Sequence, residues 1–242
     1  MFGMILPMRP TVLLFDIDGT LIETGGAGRR AMERAFERYV GRRDACASVP
    51  FAGMTDRAIA RGGLTAAERE AEEGAIDAVL ALYLEALAEE VAASLNCRVH
   101  VGVEAALTSA EATRGVAIGL GTGNIREGAR LKLERVGIHH RFAFGGFGCD
   151  HEDRAEVLRA GARRGAAVLG VPLDECRVVV IGDTPKDIAA AQAIAAESIA
   201  VCTGSFSADD LAVLRPTHVF RDLSEAGAIA ALLGESPRTS PA

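Results

Sequence analysis

Apolar positions follow two different periods along this chain. A short unbroken run, 12–15, reads as a buried strand, and no strand signal of any strength occurs between residues 23 and 97. In between, Met32, Ala35, Phe36 and Tyr39 recur at helical spacing and predict a helix over 29–40. A short helix is expected over 55–61, and two helices rich in alanine and glutamate over 65–95. From Val99 onward strands alternate with helices. The strands are predicted at 116–120, 142–147, 176–181, 198–202 and 217–220, and the helices at 103–114, 125–136, 153–169, 185–195, 208–214 and 224–233. Such alternation belongs to an α/β fold, a doubly wound, Rossmann-like parallel sheet with helices on both faces. Residues 1–22 and 98–242 would form that core, and 23–97 a helical insertion after the first strand. The competing reading makes the insertion the helical half of a single domain.

The polar residues that end these runs are placed systematically. Asp16, Thr122 and Asp183 each directly follow an apolar run, which puts each at the carboxyl end of a different strand, where open parallel sheets bind their ligands. Asp16 and Asp18, two apart in an extended segment, share a face about 7 Å apart along the strand rise. Brought to 4 Å, two carboxylates would repel by roughly 4 kcal/mol at an effective dielectric of 20, so the pair asks for a cation or a shared proton. Asp-Gly is also ordinary turn chemistry. A calcium loop fails on spacing, because Leu21 would occupy the glycine position and Ala27 the bidentate glutamate position. Helix capping competes for Asp183, an exposed first-turn acid for Asp187, and a simple turn for Thr122. GLGTGN has the wrong spacing for a dinucleotide loop.

Taken together, FDIDGTL (15–21), LGTGN (120–124) and IGDTPKD (181–187) resemble the haloacid dehalogenase superfamily, and within it the phosphoglycolate phosphatase and β-phosphoglucomutase branch. The resemblance covers nearly the whole chain and implies that 23–97 is a cap domain. It implies Asp16 as the nucleophile that forms an aspartyl-phosphate, and Asp18 as the acid and then the base. Mg²⁺ would be held by the Asp16 carboxylate, the Asp18 backbone carbonyl and Asp183, with Asp187 close by. Thr122 would hold a phosphoryl oxygen, assisted by the Gly123 and Asn124 amides. One departure concerns the phosphate-neutralising cation, since the family's frequent Lys-Pro is missing after Phe147. Arg154 and Lys132 are the candidates. Arg154 is preferred because Lys132 lies about 10 Å up its helix from Ile125. The implied activity is magnesium-dependent hydrolysis of a small phosphate monoester. Alternatives are a sugar phosphomutase, a receiver-like module and a degenerate binding protein.

Composition narrows the partners. A net charge of −7 and a pI near 5.3 argue against nucleic acid and anionic membrane surfaces, and the absence of tryptophan leaves few stacking platforms for bases. Five scattered cysteines without a CxxC pair suit a reduced, cytoplasmic protein. The start, MFGMILPMRP, is a poor signal peptide, and the end is expected to fray. His139, His140 and His151 have no metal-ligand spacing, and Gly53 to Asp56 carries no readable chemistry. The expected partner is a small phosphorylated metabolite.

Overall fold

The computed structural model describes residues 9–235; the expectations for the apolar start and for the frayed end lie outside them. β1 (Thr11–Phe15) is buried along its whole length, as a strand with neighbours on both edges and helices on both faces must be. It pairs in parallel with β4 (Val116–Gly121) on one side and β6 (Arg177–Gly182) on the other. Outside these lie β5 (Phe144–Gly146), β7 (Glu197–Val201) and β8 (His218–Phe220). The order is β5-β4-β1-β6-β7-β8, parallel throughout.

Side-chain alternation along β1 divides the core into two layers. Leu13 and Phe15 join Ile118, Leu120, Val179 and Ile181 under α4 (Val103–Glu111), α5 (Arg126–Arg135) and α9 (Ala228–Leu233). Val12 and Leu14 join Ala117 and Val180 on the opposite face, under α6 (Arg154–Leu169) and α7 (Pro185–Ala193). The short α8 (Ala208–Ala212) buries Leu211 against Ile188 and Ala200. At the β5–α6 contact the backbones nearly touch, because a Cβ on Gly146 would stand 1.9 Å from the Val157 carbonyl oxygen. This approach, with the Asp153 side chain capping α6 at the Ala155 N–H (2.7 Å), sets Arg154 at the carboxyl edge of the sheet.

Between β1 and β4 the chain forms α1 (Ala27–Val40), α2 (Asp56–Ala66) and α3 (Glu73–Ala93). These bury an apolar cluster of their own that includes Met32, Phe36, Leu64, Ile76, Tyr83 and Leu87. The stretch 65–95 holds one helix rather than two. Its first residues finish α2, a turn through Glu68 at φ 55 follows, and α3 then runs unbroken. The last helix begins at Ala228 and not near 224, because the Asp222 carboxylate takes the Ser224 N–H at 2.8 Å and holds a turn there. The chain leaves and re-enters the core through β2 (Ile22–Glu23) and β3 (Arg98–Val99), which pair antiparallel.

Candidate active site

Asp16 is the first residue past β1, and its N–H continues the ladder to the Ile181 carbonyl at 2.9 Å. The turn that follows runs through Gly19 at φ 82, where a Cβ would fall 2.4 Å from Asp183 Oδ2; only glycine serves both demands. Thr122 follows β4 and Asp183 follows β6, so the neighbouring strands β4, β1 and β6 deliver all three residues to one edge. Asp16, Asp183 and Asp187 each place an oxygen within 4.8 Å of the others, and all three are buried.

The charges there do not balance. Arg154 Nη2 lies 3.0 Å from Asp16 Oδ1 and 2.5 Å from Asp187 Oδ1, and its Nε donates to Asp187 Oδ1 at 2.8 Å. Burial works against the guanidinium charge, but Asp16 and Asp187 outweigh it and raise the Arg154 pKa. Burial pushes Asp16 up to about 6 in spite of Arg154. It also raises Asp183 well above the carboxylate range, and Asp187 and Asp16 add repulsion. One guanidinium against three buried carboxylates leaves an excess of negative charge. An all-oxygen donor set of this span fits a hard divalent ion, since donors at about 2.1 Å from Mg²⁺ lie about 3–4.2 Å apart around an octahedron.

The local caps explain which acids are free. Thr184, not Asp183, caps α7: its Oγ1 accepts from the Asp187 N–H, and Asp187 Oδ2 accepts from the Thr184 N–H at 3.0 Å and hydroxyl at 2.7 Å. Asp183 is thereby released to the site, where the Thr20 hydroxyl donates to its Oδ1 at 2.9 Å. Asp187 is 2% exposed and so is no solvated first-turn acid.

A second buried cation pairs with Asp18. Lys132 Nζ donates to Asp18 Oδ2 at 2.6 Å and to Asn124 Oδ1 at 2.6 Å. The helical rise placed Lys132 too far away; its extended side chain runs back along α5 and covers that distance. Burial opposes its charge, but Asp18 and Asp56 prevail and raise its pKa. Thr122 Oγ1 accepts from the Asn124 N–H at 3.2 Å and from Asn124 Nδ2 at 2.9 Å, which leaves its own proton to donate. Thr122 is fully buried behind the wall to which Gly123 and Asn124 contribute.

Above these residues lies a cavity of about 410 Å³. Its floor includes Asp16, Asp18, Asn124, Lys132, Arg154 and Asp183, and its roof, from the helical insertion, includes Arg29, Met32, Phe51, Ile59 and Tyr83. Arg29 lies over the Phe51 ring, 3.9 Å from its centre. His139 and His140 sit in the turn before β5, away from the cavity lining, and His151 Nδ1 accepts the Asp153 N–H at 2.8 Å. All five cysteines are free thiols, and among the described residues no helix is long and apolar enough to cross a membrane.

A family model described as haloacid dehalogenase-like hydrolase matches residues 10–195. The chain belongs to that family. Solved structures of other haloacid dehalogenase-like and related proteins share its fold at low identity. CbbY from Rhodobacter sphaeroides in complex with phosphate has a TM-score of 0.68 at 17% identity, over 91% of this chain and 98% of that one. A hydrolase from Pseudomonas syringae has a TM-score of 0.64 at 18% identity, over 88% and 94%. A predicted phosphoglycolate phosphatase from Haemophilus somnus 129pt has a TM-score of 0.62 at 16% identity, over 90% and 96%. No curated protein matches the chain significantly.

In this haloacid dehalogenase-like hydrolase the residues that pattern reading passes over are those acting across the fold. Asp56 follows the helix cap Thr55 and looks like one more first-turn acid. Its backbone N–H instead reaches the Gly123 carbonyl at 2.8 Å, and its Oδ2 accepts the Ile125 N–H at 2.9 Å. Nothing local signals this, since Ile125 stands 69 positions away. Thr20 lies inside the first motif, yet only the folded chain shows its hydroxyl on Asp183.

Proposed function

We propose that this hydrolase is a phosphatase of small phosphate monoesters that works through an aspartyl-phosphate on Asp16. The reading is carried by one observation: the buried Asp16 carboxylate is paired at 3.0 Å with the buried Arg154 guanidinium, and both line the cavity. A buried guanidinium beside a carboxylate that lines the cavity suits a phosphoryl oxygen. An Asp16 oxygen would attack phosphorus as the ester P–O bond breaks, with Asp18 giving its proton to the leaving oxygen. Water would then attack phosphorus and yield a proton to Asp18, while the P–O bond to Asp16 breaks and phosphate departs. Arg154 and the Gly123 amide would hold the phosphoryl oxygens, with Thr122 bracing Asn124 behind the cavity wall.

Asp16, Asp183, Asp187 and the Asp18 carbonyl would hold Mg²⁺, which when bound supplies positive charge against the phosphoryl group. The helical insertion would act as a cap that excludes water from the cavity while the intermediate forms. The small compartment and the Arg29 cation in its roof favour a metabolite with a second anionic group over phosphoproteins or nucleic acids. Phosphoglycolate is therefore the first ester to test.

Phosphate release from a panel of monoesters with Mg²⁺ is the experiment. Turnover is expected on small esters, lost on chelation, and lowered in Asp16→Asn by roughly 10³-fold or more, the scale of losing a nucleophile. Silence on every ester, or near wild-type rates in Asp16→Asn, would overturn the reading. Isomerised sugar phosphate without free phosphate would move it to a phosphomutase.

A further inference from the structure

Two cations, Arg154 and Lys132, reach the cavity floor, and the geometry gives them separate tasks. Arg154 pairs with Asp16 and Asp187. Lys132, with a side chain only 4% exposed, pairs with Asp18. Asp18 Oδ2 receives a hydrogen bond from Lys132 at 2.6 Å and a second from Asn124 Nδ2 at 2.9 Å. Lys132 also donates to Asn124 Oδ1 at 2.6 Å, so the three side chains close a ring in which neither polar end of Asn124 can turn over. Asp18 Oδ1 makes no hydrogen bond to any described residue, although the Asp18 side chain is 43% exposed and lines the cavity. The lysine head is seated against α1 at Gly28, where a Cβ would stand 3.2 Å from Nζ. A bulkier residue there would press on the ammonium.

We propose that Lys132 is a positioning residue for proton transfer: with Asn124 it pins Asp18 Oδ2, so that Oδ1 alone faces the cavity and carries the proton. The inference rests on the phosphatase reading above. In the first half-reaction the proton on Oδ1 passes to the leaving oxygen as its bond to phosphorus breaks. In the second half-reaction Oδ1 takes one proton from the attacking water, and the carboxylic acid is restored. A carboxyl group free to rotate would present either oxygen, in varying orientations, and geometry of this kind governs the rate of a proton transfer. Arg154 cannot substitute, because its contacts lie with Asp16 and Asp187.

Two aryl esters of nearly the same shape test this, 4-nitrophenyl phosphate and phenyl phosphate. Nitrophenolate leaves with little need of a proton, whereas phenolate needs one. In Lys132→Met, which keeps the apolar stem, kcat/KM is expected to fall at least tenfold more on phenyl phosphate than on the nitro ester. Because the second half-reaction also depends on Asp18, 4-nitrophenol should appear in a burst of about one equivalent per enzyme, which wild type lacks. Lys132→Gln, which retains a donor, should fall between wild type and Lys132→Met, and it serves as the test variant if the methionine variant melts below the assay temperature. Equal losses on both esters without a burst would show that Lys132 supports the site only generally and would overturn the inference. No loss at all would do the same. Failure of wild type itself to hydrolyse either ester would instead refute the phosphatase reading, and the inference with it.

Discussion

Arg154 is the residue on which the site's electrostatics turn. It pairs with two of three buried carboxylates, and a guanidinium spans both where an ammonium could not. Arg154→Ala should therefore lower kcat/KM by a few kcal/mol, about 100-fold or more, on good and poor leaving groups alike. It should also destabilise metal-free protein by about 3–5 kcal/mol, since it strands buried charge; steady-state kinetics and thermal melts would measure both. An intact rate would remove Arg154 from the phosphoryl contact. Asp16, Thr122 and Asp183 were legible in the sequence because each ends an apolar run. Lys132 was not, because counting helical rise fixes where a Cα sits and leaves out the reach of a lysine. The nitrogen of Lys132 travels back to Asp18, 114 positions away in sequence.

The elements hold these residues through close backbone contacts, and Gly146 is the narrowest. A methyl group there would need the Val157 carbonyl, 1.9 Å away, to retreat, and with it the helix that begins at Arg154. Gly146→Ala is expected to cost roughly 1–3 kcal/mol of stability, as overpacking does, and to lower kcat more than KM changes, because the guanidinium withdraws from Asp16. Melting temperature and kcat unchanged together would show that α6 adjusts without disturbing the site. The strands could be read from sequence because a central parallel strand is apolar on both faces, as TVLLF and VVVIG are. The helices of 65–95 could not be divided correctly, because their alanine and glutamate carry the same propensity throughout. The break falls at Glu68, whose left-handed backbone no sequence feature announces.

Across the whole molecule, Asp56 joins the helical insertion to the core through the start of α5. Burial raises its pKa from 3.8 to about 6, against the pull of Lys132 and the Ile125 N–H. A carboxyl whose folded pKa exceeds its unfolded value favours folding when protonated. Its contribution is present below about pH 4 and lost as pH rises through about 6. Asp56→Asn keeps an oxygen for the Ile125 N–H and removes that loss. In chelated protein the variant should gain on wild type by about 1 kcal/mol between about pH 5 and about pH 7, one pKa unit being worth about 1.4 kcal/mol. Parallel stability curves in denaturant titrations at the two pH values would contradict the burial of a charge at this joint.

Ile22 faces Val99 and Glu23 faces Arg98, so the chain departs from the sheet and returns to it at adjacent points. Topologically, residues 24–97 amount to one long loop closing a two-stranded ladder. Such a loop can be lengthened, shortened or exchanged for another without altering the register of any strand or the origin of Asp16, Thr122 and Asp183. Heredity can then vary what the molecule encloses, because the chain enters and leaves the roof at a single seam.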